Sequence, residues 1–351
     1  KMAKRRNQTI PKFSSSKLKA MNEIRMLIES NLIQESDVVC CTISQSAKYT
    51  VMHKEFQTIF IDDAQQANEI NSIIPLIHQP TKLILLGDSK QLKPYVNYAV
   101  KKKHPKATRS LYKKLMKKRF PNVSLNYQFR MNSAILDFPN HEFYSKQTIN
   151  TVNDVDKNTT IDLPFIQTPI IFVNVRNGKE KTRKDGSFVN NIECYVIQKI
   201  VSDLKICQIQ GKEIGVMTPY YSQAKKLNHV LSSLKYKGLK VSTIENFQGD
   251  ERDFIILSLV RARESDTEIV LPPNKSELNV ALTRARKGLI IVGKYSIFAS
   301  ESNKNDSLYN LCIHYQKNKA IIEDSKVELL QHFVQKPVKM NPLIIKMSDN
   351  K

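Results

Sequence analysis

Apolar residues follow two rhythms along this chain. From Lys17 to Leu32 they recur as Leu18, Met21, Ile24, Leu27 and Ile28, the spacing of one helical face. Elsewhere they bunch into short β-branched runs that stop abruptly at polar residues: Thr58–Ile61, Leu83–Leu86, Pro169–Val175, Gly215–Tyr220, Phe254–Val260 and Gly288–Gly293. Asp37–Thr42 reads as a further buried strand. Such runs fit parallel strands covered on both faces, with loops leaving their carboxyl ends. Between them lie helical stretches. Asn190 with Glu193 makes a capping-box pattern at one helix start, and Glu277–Arg286 forms another helix. Residues 146–168 read as a polar surface excursion, and 306–323 and 326–335 as short closing helices. Strands alternating with helices predict an α/β fold with parallel sheets.

Composition narrows the class. With 41% hydrophobic and 25% charged residues over 351 positions, the chain is globular and long enough for two domains. No apolar run approaches the roughly 18 residues of a membrane span, so no membrane partner is expected. The five cysteines form no CxxC pair, which predicts buried free thiols instead of a metal site or disulfide framework. The formal charge of +22 points to a polyanionic partner. Its densest part is Lys101–Arg119, with ten cations in nineteen residues and Leu111, Leu115 and Met116 interleaved. The second part of this run reads as an amphipathic helix with one basic face, and the run as a whole is suited to tracking phosphates as well as to solvation. Lys4-Arg5-Arg6 fits part of a nuclear signal, so the nucleus is the expected compartment, with the cytoplasm as alternative.

Two of the apolar runs end in acid: Thr58–Ile61 in Asp62-Asp63, and Leu83–Leu86 in Gly87-Asp88. On its own the first pair has two readings. It caps the next helix, or it holds a hydrated Mg²⁺ and orients water at a nucleotide phosphate. The second strand end, followed by Gln91 and Pro94, favours the nucleotide.

The sequences Asp62-Asp63-Ala64-Gln65 and Gly87-Asp88-Ser89-Lys90-Gln91-Leu92-Lys93-Pro94 resemble motifs of superfamily 1 helicases, in the branch containing senataxin and the nonsense-decay helicases. Asp63 stands where that family has Glu. Asn126-Tyr127-Gln128-Phe129-Arg130-Met131 resembles its Gln-Tyr-Arg-Met element, with Phe129 for Tyr. Phe247-Gln248-Gly249-Asp250-Glu251-Arg252-Asp253 and Val280-Ala281-Leu282-Thr283-Arg284-Ala285-Arg286 match two more motifs, in the family's order.

The resemblance implies two RecA-like parallel-sheet P-loop NTPase domains with ATP and Mg²⁺ in the cleft between them. It implies translocation on single-stranded RNA or DNA, and RNA-processing or decay proteins as partners. By the same resemblance Asp62 holds Mg²⁺, Asp63 polarises the attacking water, and Gln91 senses the γ-phosphate. Arg130 and Arg284 serve as arginine fingers; Arg286 carries no assigned role. Asp88, Gly249 and Glu251 face the nucleotide. Thr42, Ser44, Thr218, Gln223 and Thr243 contact the nucleic-acid backbone.

No G-x-x-x-x-G-K-[ST] occurs in these 351 residues, which hold nine glycines. The chain therefore reads as a carboxyl-terminal piece with an incomplete first domain: a stalk helix and linker in 1–36, half a RecA-like domain in 37–120, a complete one in 121–300, and helices and tail in 301–351. As it stands it is expected not to turn over ATP, since the missing loop supplies most donors to the β- and γ-phosphates. The competing reading is an inactive helicase remnant serving as a nucleic-acid-binding or scaffold protein.

Overall fold

The computed structural model describes residues 14–144, 149–158, 168–263, 273–300, 303–304 and 306–325. The chain divides into two compact units. The first runs to Asn122 without residues 90–92; the second takes those three residues and the chain from Val123 onward.

In the first unit β1 (Thr58–Ile61) lies parallel to β2 (Lys82–Leu85), with Thr58 beside Lys82 and Ile61 beside Leu85. Only Ile61 of β1 is buried, and Phe60 is 63% exposed. A fully covered strand was expected, but two paired strands alone leave most of each face open. The predicted strand over 37–42 does not form. Val38 is exposed, and Thr42 caps a 3-10 turn, Ile43–Ala47. Cys40 and Cys41 are exposed too, against the expectation of buried thiols, whereas Cys194 and Cys312 are buried. The apolar rhythm at 17–32 does give a helix, Ser15–Glu35, started by Ser14, but none of its residues is buried.

The second unit holds β3 (Tyr127–Gln128) parallel to β4 (Asn150–Thr151), and β5 (Ile170–Asn174). A hairpin follows, β6 (Glu180–Thr182) with β7 (Phe188–Asn190). The remaining strands are β8 (Ile214–Thr218), β9 (Lys240–Thr243), β10 (Arg252–Ser258), β11 (Ala285–Gly293) and β12 (Ile321–Glu323). Six of them form one parallel sheet in the order β12-β5-β11-β10-β8-β9. Side chains alternate across it. Phe172, Met217, Ile255, Leu257 and Ile291 enter one core, and Ile171, Val216, Phe254, Ile256 and Ile290 the other. Helices Ser133–Tyr144, Lys275–Leu282 and Ser307–Lys317 cover the first face; Asn191–Ile206 and Tyr221–Ser232 cover the second. Each fully buried aliphatic side chain contributes about 1.5–3 kcal/mol, so this two-sided burial dominates the fold. Residues 321–323 are a strand where a helix was expected, because Ile321–Glu323 pairs along β5. The expected helix over 326–335 lies outside the described residues, as does most of the excursion at 146–168; its described part contains β4 and a helix, Asn153–Asn158.

One polar network is sealed inside. Asn190 caps helix Asn191–Ile206, its side chain accepting from Glu193 N at 3.3 Å. The Glu193 side chain does not reach back to complete the box. Its Oε2 accepts from Ser258 Oγ (2.6 Å) and Val260 N (3.0 Å), and its Oε1 from Asn190 Nδ2 (3.1 Å). Asn190 Nδ2 also donates to Val260 O at 3.1 Å. Val260 is thereby gripped from both sides in the left-handed region, φ 69°, where a β-branched residue costs about 1–3 kcal/mol.

Burial pushes the Glu193 carboxyl from 4.5 up to about 8, against its three hydrogen-bond donors. The native state thus keeps this proton to higher pH than the unfolded chain does. Its contribution to stability is complete below about pH 4.5 and is lost as pH rises through about 8. We expect the unfolding free energy, measured by urea titration, to fall across that window. In Glu193→Gln the fall is shallower, from a lower starting stability, because a Gln amide meets the Asn190 amide donor.

Candidate functional site

One candidate site, within the first unit, is built where β1 and β2 end. Leu86 N donates to Ile61 O (2.9 Å) and Ala64 N to Leu86 O (2.8 Å), so pairing continues into both loops. Asp62 and Asp63 emerge exposed, and Asp62 Oδ1 accepts from Asp63 N at 2.9 Å. Asp63 has φ 49°, a left-handed conformation that Asp tolerates better than most residues. Beneath it Gln65, 3% exposed, joins the two loops. Its Nε2 donates to Asp63 Oδ1 (3.1 Å), and its Oε1 accepts from Asp88 N (3.1 Å). A Cβ on Gly87 would stand 2.5 Å from Gln65 Oε1, so a side chain there is incompatible with this bridge.

Helix Leu111–Lys117 and its preceding residue brace the same loops. Ser110 Oγ donates to Ala64 O (3.0 Å), and the Tyr112 hydroxyl to Gly87 O (2.8 Å). Burial, and then the Asp88 charge, raise the Tyr112 pKa, which keeps the phenol a donor. The donor set suits Mg²⁺, which takes one or two carboxylates together with phosphate oxygens and water. Among the described residues no three metal-ligating side chains converge into a larger cage.

Residues 90–92 pack with the second unit. Lys90 O accepts from Asn279 Nδ2 (3.2 Å), and Leu92 joins the core cluster, placing half-buried Gln91 beside helix Lys275–Leu282.

A second candidate site, within the second unit, lies at the amino ends of β10 and β11. Gln128 Oε1 accepts from Arg130 N (2.9 Å) and Met131 N (2.7 Å), which shapes the Gln-Phe-Arg-Met segment. Arg130 then donates through Nε to Glu251 and through Nη1 to Thr283 O (3.2 Å). Glu251 also faces Arg286 Nη1 at 3.6 Å, and Arg286 Nε donates to Asp253 Oδ1 at 2.6 Å. Lys287 closes the row on Asp253 Oδ2 at 3.0 Å. Gly249, φ 78°, turns the chain just ahead of Glu251 with open space on its Cα, a conformation that only glycine adopts without strain.

Arg284 is 4% exposed and turns back on its own helix, with Nε donating to Val280 O (3.1 Å) and Nη2 to Thr283 Oγ1 (3.1 Å). The arginine that joins Arg130 around Glu251 is Arg286. Its spacing in Thr-Arg-Ala-Arg was visible in the sequence, but which of the two side chains points outward was not.

The expected nucleic-acid contacts fall into two groups. Thr42 and Ser44 are exposed on the 3-10 turn, although the Thr42 hydroxyl already accepts from Gln45 N at 3.4 Å. Thr218 and Thr243 are register partners at the carboxyl ends of β8 and β9, with Thr243 half-buried. Thr218 and Gln223 are wholly buried. Gln223 accepts from Asn190 N (2.9 Å) and donates to Ser258 Oγ (2.9 Å), so it anchors the interior network instead of presenting an amide to a ligand.

Comparison with known proteins identifies the family. Residues 107–296 match the AAA_12 profile, described as an AAA domain, and residues 1–98 match AAA_11, described likewise. The chain belongs to this AAA domain family. It is homologous to the regulator of nonsense transcripts 1 homolog of Arabidopsis thaliana, 32% identical over 92% of this chain and 26% of the relative. It is also homologous to ATP-dependent helicase NAM7 of Saccharomyces cerevisiae, 31% identical over 90% of this chain and 32% of the relative. The chain thus spans about a quarter to a third of these relatives' length. A solved arterivirus nonstructural protein 10 helicase, in complex with DNA, covers 71% of this chain and 42% of its own at 17% identity, with a TM-score of 0.36.

The Gln65 bridge yields a direct check. Gly87→Ala displaces the Gln65 amide and leaves the Asp88 N–H without its acceptor, a loss of about 1–3 kcal/mol by chemical denaturation. Gln65→Ala removes the same bond. The double variant is expected to lose clearly less than the sum of the two single losses.

Proposed function

We propose that this chain is part of an ATP-driven motor that moves on single-stranded nucleic acid, with RNA as the first substrate to test. The observation that carries the reading is a pair of clusters, one in each unit: acid loops tied together by Gln65, and the Arg130–Glu251–Arg286 group. Each carries residues that the family resemblance assigns to nucleotide chemistry. Asp62 would hold Mg²⁺, which supplies charge neutralisation on the β- and γ-phosphates when bound. Asp63, oriented by Gln65, accepts the proton of the attacking water. Arg130 stabilises charge that builds on the transferring phosphoryl group, and Glu251 aims its guanidinium. The relatives' names, regulator of nonsense transcripts and ATP-dependent helicase, support RNA as substrate and RNA-decay proteins as partners. The basic composition supports a polyanionic track, and the nucleus is the compartment to examine first.

The test is single-strand-stimulated phosphate release by the full gene product. Asp62→Asn and Arg130→Ala are each expected to lower kcat about 10²–10³-fold while leaving strand binding intact. Stimulated turnover unchanged in both variants contradicts the assignment. Binding with no turnover in the unsubstituted protein leaves the second reading, an inert nucleic-acid-binding scaffold. Asp63 at the family's Glu position favours that reading.

A further inference from the structure

The cations of the most basic stretch of the chain have no role in either candidate site described above. Between Asp88 and Asp137 there is no Asp or Glu at all. Within it the chain folds as helix Tyr98–Lys103, a 3-10 turn Pro105–Thr108, and helix Leu111–Lys117. The amphipathic helix expected in the second part of this run forms as Leu111–Lys117. Pro105 opens the 3-10 turn that separates it from the first helix. Lys101, Lys102, Lys103 and Lys106 are exposed, as are Lys117 and Lys118. Lys114 is held by Glu69 at 2.7 Å.

A basic run of this kind is often only a solvated face. Two observations argue for more. The stretch brings no carboxylate of its own, so nothing within it offsets its positive charge. It is also bolted to the acid loops: Ser110 and Tyr112 hold Ala64 O and Gly87 O, and Glu69 N donates to Arg109 O at 2.9 Å. Whatever binds these lysines is anchored to the backbone that carries Asp63 and Asp88.

We propose that the Tyr98–Arg119 segment is a second grip for the sugar–phosphate backbone of the single strand, separate from the threonine and serine contacts. This deepens the proposed function and rests on it for the identity of the strand. The grip is electrostatic and indifferent to base sequence, because ammonium groups on flexible stems meet phosphates as point charges. An acidic protein segment is the competing occupant. Nucleic acid is favoured because the lysines run along two consecutive helices and a turn, a spread that suits a repeating charge.

The experiment uses a fluorescein-labelled 20-nucleotide oligo(U) and anisotropy titrations over a series of salt concentrations. Each phosphate contact contributes about −0.7 to the slope of log K against log salt. Lys101→Ala/Lys102→Ala/Lys103→Ala is expected to make the slope shallower by about 2 and to weaken binding at low salt by at least tenfold. The control triple Lys179→Ala/Lys181→Ala/Lys184→Ala, on and beside the β6–β7 hairpin, keeps the slope unchanged. Matching thermal melts of both triples show that folding is intact. If the unsubstituted protein binds oligo(U) and the first triple keeps its slope, the second grip is overturned while the helicase reading stands. If the unsubstituted protein binds no strand, both fall. If poly-glutamate of equal charge displaces oligo(U) from the unsubstituted protein but not from the first triple, while the triple's oligo(U) slope is unchanged, the segment takes acidic protein and the proposal is overturned.

Discussion

Burying a parallel sheet on both faces removes those faces from chemistry and leaves only its two edges. In the second unit this constraint governs nearly everything. The alternation of Phe254, Ile255, Ile256 and Leu257 between two cores fixes the register of β10, and the register fixes which residues reach an edge. Glu251, one residue before β10, and Arg286, near the start of β11, can meet because Arg252 pairs with Ala285. Thr218 and Thr243 meet at the other edge for the same reason.

The two edges carry different chemistry. The amino edge gathers opposite charges: Arg130 and Arg286 against Glu251 and Asp253, with Lys287 behind. These partly exposed pairs stabilise little by themselves. They hold guanidinium groups in defined directions, which is what a phosphate ligand requires. The carboxyl edge gathers a neutral, sealed network instead. Glu193, Gln223 and Ser258 hold Val260 in a conformation it would not choose. Strain of that kind persists only where surroundings over-determine it. In the first unit, by contrast, the acids sit at the carboxyl ends of β1 and β2, and one buried amide, Gln65, joins their loops.

Much of this was legible beforehand. The strands of the second sheet announced themselves as β-branched runs, and the acid pair stood out by its place at a strand end; the Gln-Phe-Arg-Met segment and the Gly249–Glu251 stretch were visible only through the resemblance to superfamily 1 helicases. What stayed hidden was direction. Asp37–Thr42 has the composition of a strand but no ladder to join, and Ile321–Glu323 has a ladder waiting along β5 that no local pattern reveals. Arg284 and Arg286 are two residues apart; the side chain that reaches Glu251 is set by where helix Lys275–Leu282 ends and β11 begins. The family resemblance marks Gln223 as a backbone contact, yet its reach to Asn190 and Ser258 depends on contacts 33 and 35 residues away in sequence.

Under the proposed function the amino edge of this sheet, with Arg130, Glu251 and Arg286, meets the nucleotide, and the expected strand contacts at Thr218 and Thr243 lie at the carboxyl edge. Hydrogen exchange read by mass spectrometry on the full gene product tests it most directly. A non-hydrolysable ATP analogue with Mg²⁺ is predicted to slow exchange at residues 128–132, 250–254 and 283–287. A single-stranded oligonucleotide without nucleotide is predicted to slow it at 218–221 and 243–246. Protection of the same edge by both ligands, or of neither edge by the analogue, would contradict the account.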